Sequence, residues 1–592
     1  MRIPLDPPPG LIGDDTTFTA AGRWSDGSNV RFWRGRPQVI GGWEGLTDTL
    51  LTGVCRNVFS WTNNDAVLNI AFGTHSALQV WIGGALYSIT PTLNRPSVTL
   101  GANPLSVANT DETVTVTMTA HGLADGDLIT VSGATAVGGI TPNVASVAVT
   151  VINANSFAYE FTSAASSTTT GGGSAVVITP LAAFTAGAID GTGGQGWGTG
   201  TYSTGTYSSP STADFFPRTW SLSAFGEQLI ANPRAGAVYA WANVTGTPAA
   251  PLANSPRQVT VALVSHTDQV FALGCNEEVS GEFNPLCIRH SGVRRSTEWN
   301  TAANTTAREY VLPGGGRIVG ARVAGQFILV WTSDKLFVGT FVGAINQPWR
   351  FDPVGEHCGL IGPNAFAIAG SRAVWLAPDL QFRSYSLGGS VAIIPCPIRD
   401  DMAENLASAQ GDKVTATTIS IYNEIRFDYP DARDGNENSR YVTVCLEDGS
   451  WSKGIMARTA FTDAGPQQDP VAVTYDGQVY WHERGNSADG GAFSWFIKSA
   501  DQYLSPDRIM MVRGVWPDIQ GQMGGVAVTV EARFWPQGDG TSVTTGPLAA
   551  SEDKADFRIS GRLANVTLSG NSAPTYAKIG QPTFDVEATG GR

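Results

Sequence analysis

The chain has 592 residues, too many for one hydrophobic core, so roughly three to four domains are expected. Glycine supplies 69 residues and charged residues only 15%, against about 25% in an ordinary globular domain. With 17 tryptophans this composition points to a mostly β chain with many tight turns and excludes long charged surface helices. The net charge of −14 argues against gripping nucleic acid by its phosphates, and it suits a surface past which DNA slides without sticking.

Residues 1–20 read as an extended N-terminal arm, because Pro4, Pro7, Pro8 and Pro9 break any helix and leave no room for a secretory h-region. With no run of 18 apolar residues either, no membrane span is expected and the chain is expected to be made and to stay soluble. Residues 21–96 read as first propeller strands. Asn29-Val30-Arg31-Phe32 is followed by the turn Gly35-Arg36-Pro37, then by the apolar runs Leu68–Thr74 and Leu78–Ile82, broken by Asn63-Asn64 and Gly83-Gly84. From 97 to 180 the chain turns rich in Thr, Val, Ala and Ser. Its run His121-Gly122-Leu123 through Gly126-Asp127 to Gly133 resembles a small β-barrel module first named for its place in ubiquitin-activating enzymes. That stretch holds no cysteine, so the resemblance implies an inserted domain without activating chemistry.

Residues 181–214 form a Gly/Ser/Thr-rich loop containing a literal G-x-G-x-x-G at Gly191, Gly193 and Gly196. A dinucleotide site needs a strand before that motif and a helix after it, and a proline-bearing coil follows instead. The strand pattern resumes at 215 and continues to 492. Units such as Trp220–Trp241, Arg317–Gly339, Ala373–Tyr385 and Val471–Trp481 each place a polar turn between apolar strands. Spaced at loose intervals, they read as a β-propeller body, for which six blades are expected. The one helix candidate is Asp400–Ala407, with Asp400 as its N-cap and Met402 and Leu406 on one face. Residues 493–592 alternate cleanly, as in Val526–Trp535 and Arg558–Leu568, and read as a C-terminal β-sandwich.

No catalytic, cofactor or metal site is expected. The six cysteines (Cys55, Cys275, Cys287, Cys358, Cys396, Cys445) form no C-x-x-C and read as buried thiols. Asp14-Asp15 and Asp400-Asp401 are sequence neighbours, better suited to caps and turns than to a convergent acid pair. No G-x-S-x-G or H-E-x-x-H occurs, and His75, His121 and His482 read as packing residues.

A resemblance to a known family covers most of residues 10–95 and 215–592, and Phe72-Gly73-Thr74, Trp81-Ile82-Gly83-Gly84 and the late strand Arg562–Leu568 share in it. The Asn29–Pro37 segment, and the order Asp400–Ala407, then Asp428-Tyr429-Pro430, then Gly449-Ser450-Trp451, resemble the tail nozzle (hub) proteins of short-tailed (podovirus) bacteriophages. The resemblance implies a virion protein, not an enzyme, in which a homohexamer closes the distal end of the viral tail and serves as the DNA conduit for genome ejection. It implies as partners a tail adaptor ring, tail fibres or spikes, the genomic DNA and the host cell surface, with assembly in the host cytoplasm. Within that reading Gly191, Gly193, Gly196, Trp197, Tyr202 and Tyr207 form a candidate gate or tip loop. The alternative is a receptor- or glycan-binding protein on the tail periphery, with Trp197, Tyr202 and Tyr207 as sugar platforms. A trimer would favour the alternative and sixfold symmetry the nozzle.

Overall fold

The short apolar strands assemble into seven antiparallel sheets of four strands each, and the sheets pack face to face around an axis. The computed structural model describes residues 1–592 except 17, 92, 95–96, 122, 124–126, 183–185, 192–215, 303, 315, 345, 506, 537 and 592. Each sheet is one blade of a β-propeller, and its innermost strand comes first in sequence. These inner strands are Cys55–Thr62, Trp220–Phe225, Val259–Val264, Ile318–Ala324, Phe366–Ala369, Thr415–Ile419 and Ala460–Thr462, for blades 1 to 7.

The blade count therefore corrects the expected six. The stretch after the short helix, residues 415–455, is itself blade 6. Blade 7 has only three strands of its own, Ala460–Thr462, Val471–Val473 and Val479–His482. Its fourth is Trp43–Gly45 from the other end of the chain, with His482 opposite Trp43 and Tyr480 opposite Gly45. The ring is thus closed by backbone hydrogen bonds between segments more than four hundred residues apart, where it would otherwise expose a strand edge.

Tryptophans fasten successive blades. The Trp220 indole of blade 2 donates to Thr74 O of blade 1 at 2.7 Å, and Trp349 of blade 4 donates to Gln269 Oε1 of blade 3 at 3.0 Å. Trp375 of blade 5 donates to Cys358 O behind blade 4, and Trp451 of blade 6 to Pro395 O behind blade 5, each at 2.9 Å. These rings are almost fully buried, so each adds apolar burial to a satisfied N–H. The approach is close enough to dictate sequence on the facing blade. A Cβ on Gly73 would lie 2.5 Å from Trp220 Cγ, so only glycine fits there.

Between the outer strand of blade 1, Ala85–Ser88, and the inner strand of blade 2 the chain builds a nine-stranded barrel from Leu93–Asn94 to Val177–Ala182. Its core, with Leu105, Val114, Val116, Ile129, Phe157 and Ile178 at its centre, is separate from every propeller core. The third unit is a β-sandwich in which both chain ends meet. Arg2–Pro4 pairs with Thr583–Gly591, and Trp24–Ser28 pairs with Phe493–Ser499. The segment 24–39 was expected among the first propeller strands, yet it pairs within the sandwich, where its partners Phe493–Ser499 and Tyr576–Ile579 lie more than four hundred residues away, beyond the reach of local pattern. The sandwich and blades 4 to 6 share one continuous core.

The helix spans Arg399–Asn405 and its N-cap position is Ile398, so Asp400 falls in the first turn instead of capping it. The cap comes from the N-terminal arm. The Asp14 carboxylate accepts from the Arg399 and Asp400 N–H groups at 3.1 and 3.2 Å. Burial raises the Asp14 pKa, and these two hydrogen bonds act against that rise. All six cysteines are free, five of them buried and Cys396 half-buried.

Candidate functional site: the propeller channel and its mouth

Each inner strand is paired on one side only, so its other edge faces the propeller axis. Two cavities of about 300 and 320 Å³ lie along that axis. Blades 1 to 5 line the first, and blades 1 and 4 to 7 line the second. Asn57, Arg322, Val323, Asn364 and Phe366 line both.

One mouth of the channel is spanned by the 3₁₀ segment Ser408–Lys413, which links blades 5 and 6. Gln410 exchanges two hydrogen bonds with the backbone of Gly191, each 2.9 Å. Asp412 accepts from Arg234 of blade 2 at 2.8 Å. Lys413, whose side chain is wholly buried, donates to Asp190 at 2.5 Å, to Glu437 at 2.6 Å and to Asn436 O at 2.7 Å. Glu437 also takes a two-pronged contact from Arg56 of blade 1, both prongs 2.7 Å. Asn364 Nδ2, ahead of blade 5, reaches across the axis to Arg56 O at 3.1 Å. Burial works to raise the Asp190 pKa, but the Lys413 hydrogen bond and charge outweigh it and hold the carboxyl below its usual range. The Phe216 ring lies between two guanidinium groups, Arg234 at 4.1 Å and Arg317 at 4.4 Å from its centroid. Asp190–Gly191 and Phe216 thus tie both ends of the Gly-rich segment to this mouth.

Of the candidate loop residues, Gly191 is held by Gln410 as described. Gly193, Gly196, Trp197, Tyr202 and Tyr207 lie outside the described residues. The histidines pack as expected: His75 Nδ1 accepts from Val54 N at 2.9 Å, and His121 Nδ1 from Leu123 N at 3.0 Å. His482 Nε2 accepts from Arg458 Nε at 2.9 Å, and burial followed by the charges of Arg458 and Arg426 lowers its pKa well below the histidine range. Among the described residues no group of three or more His, Cys, Asp or Glu could hold a metal ion. No helix among them is long and apolar enough to cross a membrane.

A second charged cluster joins the propeller to the sandwich, and sequence reading did not single it out. Arg31 holds Glu483, at the end of blade 7, through contacts of 2.9 and 2.5 Å, and lies 3.4 Å from Glu424 of blade 6. All three side chains are at most 6% exposed. Burial pushes the Glu424 carboxyl up to about 7, against the Arg31 charge and with the help of Glu483. Near this cluster Tyr441 donates to Asn29 Oδ1 at 3.1 Å, and Asn29 Nδ2 donates to Ser494 O at 2.9 Å. The missed signal was a buried-looking Arg between Val30 and Phe32.

No family model and no curated protein matches this chain. Among solved structures it is similar to Hsv2 from Kluyvelomyces marxianus, at 10% identity over 48% of this chain and 71% of that one, with a TM-score of 0.28. It is also similar to BamB from Moraxella catarrhalis, at 11% identity over 46% of this chain and 84% of that one, with a TM-score of 0.26. Both are β-propellers. The propeller assignment itself rests on the seven-blade pairing and its closure by Trp43–Gly45.

Proposed function

We propose that this chain is the tail nozzle of a short-tailed bacteriophage, a virion protein whose hexameric ring closes the distal end of the tail and conducts the genome on ejection. One observation carries the reading. Segments that carry the resemblance to the nozzle family lie far apart in the chain and meet in space, Asn29 N donating to Lys453 O, just past Trp451, at 3.2 Å. Asp14 caps the helix at 399–405, Leu11 N donates to Trp451 O at 2.9 Å, Arg31 reaches Glu424, and Tyr441 reaches Asn29. These segments form one junction, where buried ion pairs tie the sandwich to blades 6 and 7 and one core runs from it into blades 4 to 6. A part that must hold its shape under internal pressure needs such a junction.

The channel of a single propeller is unsuited to DNA, since its cavities measure only about 300 and 320 Å³ and Ser408–Lys413 spans one mouth. In this reading the conduit is the space enclosed by the ring of protomers. The net charge of −14 keeps phosphates from adhering to it. The test is gold labelling of intact phage particles with an antibody raised against the inserted barrel. Label at the distal tip of the tail is expected; label on the capsid, or none on particles, overturns the proposal.

A further inference from the structure

We propose that the first channel cavity is a binding site for a small oxyanion, a carboxylate or a phosphate, held by Arg322. The inference is independent of the nozzle reading.

Arg322 is the only charged residue in the inner strand Ile318–Ala324, where its neighbours are Gly320, Ala321, Val323 and Ala324. It lines both channel cavities. Arg322 is open to the channel water, and among the described residues it has no ion pair, unlike the buried Arg31, Arg56 and Lys413. Among the described residues that line the first cavity there is no carboxylate. The second has one, Asp463, and it is occupied by Thr418 Oγ1 at 2.7 Å and by the Ser420 N–H at 3.1 Å. Water reaches the Arg322 side chain within the channel, and the surrounding blades, which desolvate it in part, lower its pKa. A guanidinium that stands in the water of a confined cavity with no counter-charge beside it is free to take an anion through two parallel hydrogen bonds.

The rest of the wall suits such a guest. Ser221 and Ser223 bring hydroxyl groups to the first cavity, and the free edges of its inner strands bring backbone N–H groups. Its volume of about 300 Å³ is at the lower bound of small-molecule sites and fits a di- or tricarboxylate or a phosphate monoester. The guanidinium fork matches either group through two parallel hydrogen bonds.

The experiment is isothermal titration of the purified full-length chain, at constant ionic strength, with inorganic phosphate and separately with citrate. Saturable binding of one anion per chain is expected for at least one of the two, and the tighter identifies the favoured chemistry. Arg322→Gln should weaken it by about tenfold or more, whereas Arg322→Lys should retain part of it. Ser223→Asp places an acid in the same cavity and should abolish binding, so it carries the test should Arg322→Gln fail to fold. Absence of saturable heat with both anions up to about 10 mM overturns the proposal. So does equal binding by the wild type and either folded variant.

Discussion

Replacing Lys413 by methionine tests the physical account of the channel mouth. The side chain is wholly buried and makes three charge-assisted hydrogen bonds, to Asp190, Glu437 and the Asn436 carbonyl. Methionine keeps most of the apolar stem, so the cavity cost is small. The three bonds would total about 4.5–9 kcal/mol at about 1.5–3 kcal/mol each, but two of the partners are not stranded. Glu437 keeps both contacts to Arg56, and Asp190, 48% exposed, can be rehydrated. The expected loss is therefore about 3 kcal/mol, the low end for breaking a buried ion pair. Urea unfolding followed by tryptophan fluorescence reads it directly. A cycle with Asp190→Asn should give a coupling of about 1 kcal/mol. A loss below about 0.5 kcal/mol would refute the claim that Ser408–Lys413 is locked across the mouth.

Further outcomes follow from single contacts. Gly73→Ala should destabilise by about 3 kcal/mol, because its Cβ meets the Trp220 ring at 2.5 Å, and thermal melting that leaves the variant unchanged would contradict the close packing of blades 1 and 2. Glu424, raised to about 7 in the folded chain, binds its proton more tightly there than when unfolded. Its contribution is therefore fully present below the ordinary carboxylate range and is lost as pH climbs to about 7, a fall of about 3 kcal/mol. Glu424→Gln should flatten stability across that window, and a slope identical to the wild type refutes the assignment. Asp14→Ala should cost about 1 kcal/mol by uncapping the helix at 399–405, and faster amide exchange at Arg399 and Asp400 should accompany it. Protection equal to the wild type at both amides would show that Asp14 is not the cap.

What the sequence made legible was local. Strand periodicity and turn chemistry act over a few residues, so the β class, the propeller and the alternating C-terminal strands could be read from patterns such as Phe327–Thr332 and Ala527–Arg533. Features made by distant partners could not. Six blades were expected where there are seven, the last completed by Trp43–Gly45 from the other end of the chain, and the helix seemed to be capped by its own Asp400 because the true cap, Asp14, lies nearly four hundred residues away. The Gly191–Gly196 spacing drew attention, yet of that loop only Gly191 is described, and it serves as a backbone anchor for Gln410. Arg322 left one faint mark, a single charge inside an inner strand. Its lack of a counter-charge becomes visible only when the blades are closed around it.

The most direct test of the nozzle reading is a cryo-EM reconstruction of the phage particle that carries this chain, without imposed tail symmetry. The account predicts six copies around the tail axis at its distal end, each showing a seven-bladed propeller with the sandwich packed on blades 4 to 6. Three copies on peripheral appendages, or density for the chain nowhere in the particle, would contradict it.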